Sequence, residues 1–150
     1  MKPLLVLDCH YLMHRAFHAA PDLSWEGKLT GAIYGFFKTL GALKDEFSSD
    51  RFVFCFESPH LFRRDVFPGY KRRRHAPDPK EHKAKLHLTL QIAELRKRLL
   101  TQVGFKNVFC EEGYESDDLM AQLAADAPEE TILVTSDSDL YQCLRSNVLL

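Results

Sequence analysis

Short continuous runs of apolar residues recur along the chain and are separated by longer segments of mixed character. The runs lie at residues 4–7, 52–56, 108–110, 131–135 and 147–150. Apolar runs of this length are typical of strands that are buried on both faces, as in a parallel sheet. We therefore predict five buried strands.

The segments between these runs show the three-to-four-residue spacing of amphipathic helices. One stripe follows Thr30, a residue type favoured at helix N-caps, and comprises Ile33, Phe36, Phe37, Leu40, Leu43 and Phe47. A second stripe comprises Leu88, Ile92, Leu95 and Leu99. Shorter helices are predicted at 11–20, 115–125 and within 136–144. Because strands alternate with helices, we predict an α/β fold with a mostly parallel, doubly wound sheet.

Two segments show neither the apolar runs of buried strands nor the spacing of amphipathic helices. Residues 22–28 are predicted to form a loop. Residues 58–81 contain prolines that break any long element, and basic residues there are interspersed with Phe62, Phe67 and Tyr70. A loop of this length inside a compact domain is usually functional or mobile.

The composition is that of one globular domain. The 150 residues are 45% hydrophobic and 27% charged, which argues against a disordered or collagen-like chain. No apolar run approaches the roughly 20 residues of a membrane span, and the first residues lack the apolar stretch of a secretory signal. The four cysteines form no C-x-x-C pair, so we expect reduced thiols in a cytoplasmic protein.

A formal net charge of −1 hides a segregation of charge along the sequence. Residues 60–85 carry nine Lys or Arg and three acids, whereas residues 111–139 carry ten acids and no Lys or Arg. Such asymmetry informs about binding partners and not about the fold. A solvated acidic face beside a solvated basic loop, without a function in binding, is the alternative explanation of this pattern.

Seven carboxylates fall at the ends of predicted strands, at a helix start or on a turn. They are Asp8, Glu57, Glu115, Asp117, Asp118, Asp137 and Asp139. The carboxyl ends of parallel strands share one edge of the sheet, and α/β proteins form their sites outside that edge. We therefore expect all seven carboxylates around one crevice.

So many like charges must be neutralised by protons or cations. Basic side chains are not interleaved with these acids in the sequence, so Mg²⁺ or Mn²⁺ is the expected neutralising group. Two ions about 3.5–4 Å apart would suit phosphodiester hydrolysis. Taken singly, Asp117, Asp118 and Asp137 are equally well explained as acids that cap helix N-termini.

The basic segment points to the substrate. Lys and Arg neutralise phosphates, and aromatic side chains stack on unpaired bases. A positive loop joined to a metal-binding edge is typical of a nuclease. Lys71 or Arg74 is expected to reach the scissile phosphate and to stabilise charge in the transition state.

Five stretches of the sequence resemble a known family, the 5′→3′ exonuclease (flap endonuclease) domain found at the N-terminus of bacterial DNA polymerase I and in stand-alone phage and bacterial relatives. The stretches are 5–18, 30–36, 62–71, 113–118 and 134–142. They occur in the family's order across nearly the whole chain, which makes the set far more specific than any one of them.

The resemblance implies a three-layer, PIN-like and resolvase-like domain with a mobile basic arch at about residues 58–85. It implies metal roles for Asp8, Glu115, Asp117, Asp118, Asp137 and Asp139, and phosphate contacts for Lys71 and Arg74. DNA contacts are implied or expected for Arg15, Thr30, Gly31, Arg63, Tyr70, Arg72 and Arg73.

The same resemblance implies further properties of the protein. The expected cofactors, as the carboxylates already indicate, are two Mg²⁺ or Mn²⁺ ions, and the expected partner is DNA with a 5′ flap, a nick or a single-strand/duplex junction. A DNA polymerase or a C-terminal half is a further expected partner, and nucleoid association is expected. The family's helical region with a helix-three-turn-helix element is not expected within the 150 residues.

Two residues depart from the family's pattern. Glu57 stands where the family usually has Asp, so the charge is kept but the oxygens move. Cys9 stands where Gly is common, which concerns the backbone after Asp8.

Other functions compete with a DNA nuclease. A non-catalytic or partly active DNA-junction binder would bind DNA without cleaving it. A PIN-type ribonuclease would share the acids but would not need the segment that contains Tyr70, Lys71 and Arg74. A phosphatase with an aspartyl nucleophile usually needs a second acid two residues after Asp8, where this chain has His10. A zinc site on His10, His14 and His18 lacks a fourth ligand nearby.

Overall fold

The computed structural model describes residues 1–71 and 78–150 of the chain. In chain order its strands are β1 (Leu4–Asp8), β2 (Ser24–Trp25), β3 (Lys28–Leu29), β4 (Phe52–Cys55), β5 (Val108–Phe109), β6 (Thr131–Val134) and β7 (Val148–Leu149). Five of them form one sheet in the order β5-β4-β1-β6-β7. All neighbours in this sheet run parallel, which confirms the predicted α/β class.

Along the sequence, the helices lie between the strands of the sheet. They are α1 (Cys9–Ala19), α2 (Gly31–Phe47), α3 (Phe62–Val66), α4 (Pro79–Glu94), α5 (Leu100–Val103) and α6 (Ser116–Asp126). A π-helical turn at Leu95–Leu99 joins α4 to α5, and a 3₁₀ turn at Ser138–Cys143 follows β6. No described helix is both long enough and apolar enough to cross a membrane.

The sheet divides the core into two layers, and the side chains of its central strand β1 contribute to both. Leu5 and Leu7 pack with Phe36 of α2 on one face of the sheet. Val6 points to the other face and packs with Met120 of α6. Successive side chains of a strand alternate between faces, so a run of apolar residues is buried on both sides, as the sequence pattern indicates.

Two segments predicted to be irregular contain regular structure. The loop at 22–28 includes the antiparallel hairpin β2–β3, whose turn places Glu26 and Gly27 at positive φ values of 49° and 76°. Two-residue turns of this kind usually carry Asn-Gly or Asp-Gly, so the Glu-Gly pair gave little signal. The segment 58–81 includes the short helix α3 and the start of α4.

The start of α2 is stabilised by a residue far away in the sequence. Thr30 occupies the predicted N-cap position, but its side chain makes no capping hydrogen bond. Instead, Gln91 of α4 accepts hydrogen bonds at Oε1 from the N–H groups of Ala32 (3.1 Å) and Ile33 (3.3 Å). The long-range contact therefore replaces the local cap.

Candidate metal centre and its surroundings

Three carboxylates at the start of α6 form a cluster, which we call the acidic cluster. Glu115 is the N-cap residue, and Asp117 and Asp118 lie in the first turn. Each offers an oxygen within 4.8 Å of the others, and the helix dipole favours negative charge here. Grouped carboxylate oxygens are the ligands preferred by hard divalent cations, so the donor set fits such an ion.

Asp8 lies next to this cluster at the carboxyl end of β1 and is buried, with 9% exposure. Ser116 of α6 donates a hydrogen bond to its Oδ1 (3.1 Å). Thr135, after β6, donates to its Oδ2 (3.0 Å). Neither hydroxyl was predicted from the sequence. The available signal was that Ser116 directly precedes Asp117 and that Thr135 lies two residues before Asp137.

Asp137 is joined to Asp8 through the same threonine. Its N–H donates to Thr135 Oγ1 (3.2 Å), and its own Oδ1 accepts from the N–H of Asp139 (2.9 Å). Asp137 is half-buried and Asp139 is exposed. Among residues 1–71 and 78–150, neither joins the set of carboxylates within 4.8 Å.

Glu57 is half-buried where the chain leaves β4. Burial raises the pKa of its carboxyl, as does the nearby Glu115, whereas Lys71 opposes the shift. Its backbone N–H donates to Nδ1 of His10 (3.1 Å). Burial lowers the pKa of His10 to about 4, so this imidazole is neutral and accepts the hydrogen bond at physiological pH.

Arg63, Tyr70 and Lys71, which we call the donor trio, contact the acidic cluster directly. Arg63 binds Asp118 through two hydrogen bonds of 2.6 Å and Glu115 through one of 2.8 Å. Tyr70 donates to Glu115 (2.7 Å), and Lys71 forms an ion pair with the same carboxylate. The three side chains were predicted to contact DNA or phosphate, and here they contact carboxylates.

These contacts shift the pKa values of the three acids in different directions. Arg63 lowers the pKa of Asp118 below its usual value. Burial alone would raise the pKa of Glu115, but hydrogen bonds from Lys71 and Tyr70 lower it overall. Burial and the neighbouring acids raise the pKa of Asp117, which has no ion pair within the described part of the chain.

The other predicted DNA contacts lie on several elements. Arg15 is exposed on α1, and Thr30 is half-buried before α2. Gly31 packs so closely against Ala20, directly after α1, that a Cβ atom there would overlap the carbonyl oxygen of Ala20, which requires glycine. The predicted residues Arg72, Arg73 and Arg74 fall outside the described residues.

Comparison with known protein families gives a match over almost the entire chain. Residues 3–150 match the family described as 5′-3′ exonuclease, N-terminal resolvase-like domain. The matched range includes every strand and helix described above.

Two relatives of the chain are a DNA polymerase I and a 5′-3′ exonuclease. The chain is 35% identical over 150 residues to the thermostable DNA polymerase I of Thermus aquaticus, covering 97% of this chain and 17% of the relative. It is 34% identical over 155 residues to a 5′-3′ exonuclease of Aquifex aeolicus, covering 99% and 50%. The chain therefore spans about a sixth of this polymerase and half of this exonuclease.

Solved structures share the fold. The T5 D15 protein co-crystallised with metal ions has a TM-score of 0.77 at 19% identity, with 98% of this chain and 54% of that chain covered. The T5 D15 flap endonuclease variant in a pseudo-enzyme-product complex with DNA and metal ions has a TM-score of 0.69 at 17% identity, with 98% and 53% covered. These likenesses concern the fold, whereas the match over residues 3–150 establishes that the chain belongs to the family of 5′-3′ exonuclease N-terminal resolvase-like domains.

Proposed function

We propose that this chain forms the metal-binding part of a structure-selective 5′ nuclease, a 5′→3′ exonuclease or flap endonuclease that hydrolyses DNA phosphodiesters. The observation that carries the proposal is the group of three carboxylates within 4.8 Å next to the buried Asp8. Family membership supports the reaction class. The DNA and metal ions of the T5 flap endonuclease complex support the choice of ligands.

The acidic cluster is the proposed centre of the metal site. Asp8, Glu57, Asp137 and Asp139 are proposed to supply further ligands, directly or through bound water. Mg²⁺ or Mn²⁺ suits these oxygen donors, and two ions are proposed. When bound, such ions lower the pKa of a water molecule and stabilise charge on the attacking and leaving oxygens.

The chain's own residues have separate proposed roles. The hydroxyls of Ser116 and Thr135 hold both oxygens of Asp8 and so fix the direction in which it offers lone pairs. Lys71 and Arg74 are proposed to stabilise charge on the scissile phosphate. The proposed DNA contacts are Arg15, Thr30, Gly31, Arg63, Tyr70, Arg72 and Arg73.

The proposal is tested by incubating the chain with a 5′ end-labelled flap duplex, with and without Mg²⁺. We expect cleavage that depends on Mg²⁺ and falls by at least about 100-fold in Asp117→Asn, because a ligand that stabilises transition-state charge through the ion is lost. Asp126→Asn is the matched control, since Asp126 ends the same helix.

Four outcomes would contradict the proposal. Cleavage without a divalent ion, or equal cleavage by Asp117→Asn and wild type, would exclude the metal centre. Binding of the flap without any cleavage would favour the DNA-junction binder. Cleavage of a matched RNA in preference to DNA would favour the PIN-type ribonuclease.

A further inference from the structure

The donor trio occupies all four carboxylate oxygens of Glu115 and Asp118. Lys71 bonds Glu115 Oε1, whereas Arg63 and Tyr70 both bond Glu115 Oε2. The guanidinium of Arg63 also bonds each oxygen of Asp118. Two of the three acids that are best placed to hold an ion therefore already have charged partners.

The charge of these partners matches that of a divalent ion. Arg63 and Lys71 each carry one positive charge, and together they balance the two negative charges of Glu115 and Asp118. Glu115 is almost fully buried, with 2% exposure, so these charges interact through a medium of reduced dielectric constant. A divalent ion among the same oxygens would be strongly repelled by cations that lie within hydrogen-bond distance of them.

The segment that carries the trio is held mainly by these polar contacts. Its helix α3 has no buried residue, and Val66 and Phe67 are 87% and 64% exposed. Phe62 fixes one end, because its N–H donates to the carbonyl of Gly113 (3.0 Å). Lys71 at the other end has a φ of 50°, an unfavourable conformation for a residue with a side chain. Leaving the acids would cost this segment little apolar burial.

We propose that the donor trio and a divalent ion compete for Glu115 and Asp118, so that metal binding releases residues 62–71 from the acidic cluster. The inference rests on the proposed function of that cluster as a metal site. Release leaves Arg63 and Lys71 without carboxylate partners and makes both cations available to phosphate. The segment thus becomes competent to bind phosphate when the metal arrives.

Binding of Mn²⁺ to the full chain in the absence of DNA tests the competition, by titration calorimetry or by the electron paramagnetic resonance signal of free Mn²⁺. Arg63→Gln and Lys71→Gln are expected to bind Mn²⁺ about three- to tenfold more tightly than wild type, because each removes a charged competitor. Arg64→Gln is the matched control, since it removes the same charge from the same helix but not from the trio. Lys71, whose side chain is 52% exposed, provides a variant that should fold if Arg63→Gln does not.

Hydrogen exchange gives a second readout that is independent of activity. The N–H of Phe67 bonds the carbonyl of Arg63 (2.9 Å), and that of Tyr70 bonds the carbonyl of Phe67 (2.9 Å). Saturating Mn²⁺ is expected to accelerate exchange of both amides in wild type. Unchanged or slower exchange would overturn the proposed release.

The affinities distinguish failure of this inference from failure of the proposed function. If wild type binds Mn²⁺ and neither Gln variant binds more tightly than Arg64→Gln, only the competition is excluded. If Arg63→Gln binds more weakly, Arg63 orients the ligands and does not compete with the ion. If no variant binds Mn²⁺, both the competition and the metal site are excluded.

Discussion

Asp8 shows how single hydrogen bonds keep a charged group in the core. Its carboxylate lies at the end of the central strand, and a buried charge without partners would destabilise the fold. Ser116 and Thr135 donate to its two oxygens, and the N–H of Tyr11 donates to Oδ1 as the N-cap bond of α1 (3.1 Å). The sequence predicted the acid at this strand end but not the hydroxyls, because they come from positions more than 100 residues away.

Removing one of these hydroxyls should cost stability. Ser116→Ala leaves Asp8 with one hydrogen bond fewer in a buried place, so the free energy of unfolding should fall by about 1–2 kcal/mol. Urea denaturation measures this change. Ser136→Ala, at an exposed neighbour of Thr135, should change it by less than about 0.5 kcal/mol. Equal effects of the two changes would show that the bond to Asp8 contributes nothing.

The stability of the protein should also depend on the protonation of His10. The pKa of this residue falls from an ordinary value of 6.5 to about 4 in the folded state because of burial. The unfolded chain therefore binds more protons between these values, and stability should fall as the pH drops from about 6.5 towards 4 and then level off. Burial also lowers the pKa of His14, which contributes with the same sign.

Urea denaturation at several pH values between 7.5 and 4 measures this dependence. His10→Asn should flatten it, whereas the same change at the exposed His60 should not. An unchanged slope in His10→Asn would contradict the assignment of a neutral, half-buried imidazole that accepts the N–H of Glu57.

At the scale of the elements, periodicity predicted the regular structure that packs against the core. The five apolar runs became the five strands of the sheet, and the stripe after Thr30 became α2. Elements that depend on polar contacts were missed. The helix α3 buries no side chain. Its contacts with Glu115 and Asp118 join positions 52 and 55 residues apart. No local sequence pattern therefore predicts this helix.

The hydrogen bonds from the start of α2 to Gln91 of α4 lead to a prediction at the scale of the elements. Gln91→Met keeps the size of a buried side chain but removes the acceptor for the N–H groups of Ala32 and Ile33. The free energy of unfolding should fall by about 1–3 kcal/mol, the cost of buried donors left without a partner. Gln122→Met, on the exposed surface of α6, is the control for urea denaturation. Unchanged stability in Gln91→Met would show that other groups satisfy the start of α2.

For the whole molecule, the segregated charges give the most information about function. Parallel topology predicted that the acids at strand ends, Asp8, Glu57 and Asp137, would share one edge with the acids at the start of α6. The three acids of α6 lie within 4.8 Å of one another, and Asp8 is linked to their helix through Ser116. The separation of basic and acidic segments along the sequence suggested that the acids lacked side-chain counterions. Arg63 and Lys71 nevertheless pair with Glu115 and Asp118, because chain topology brings together segments that are far apart in sequence.

The claim that the acidic cluster binds a divalent ion is tested most directly by anomalous diffraction from crystals of the chain soaked in Mn²⁺. We expect an anomalous peak between Glu115, Asp117 and Asp118, at about 2.0–2.3 Å from their oxygens, with Arg63 and Lys71 displaced. Absence of a peak there in crystals that bind Mn²⁺ elsewhere would contradict a metal centre at the start of α6.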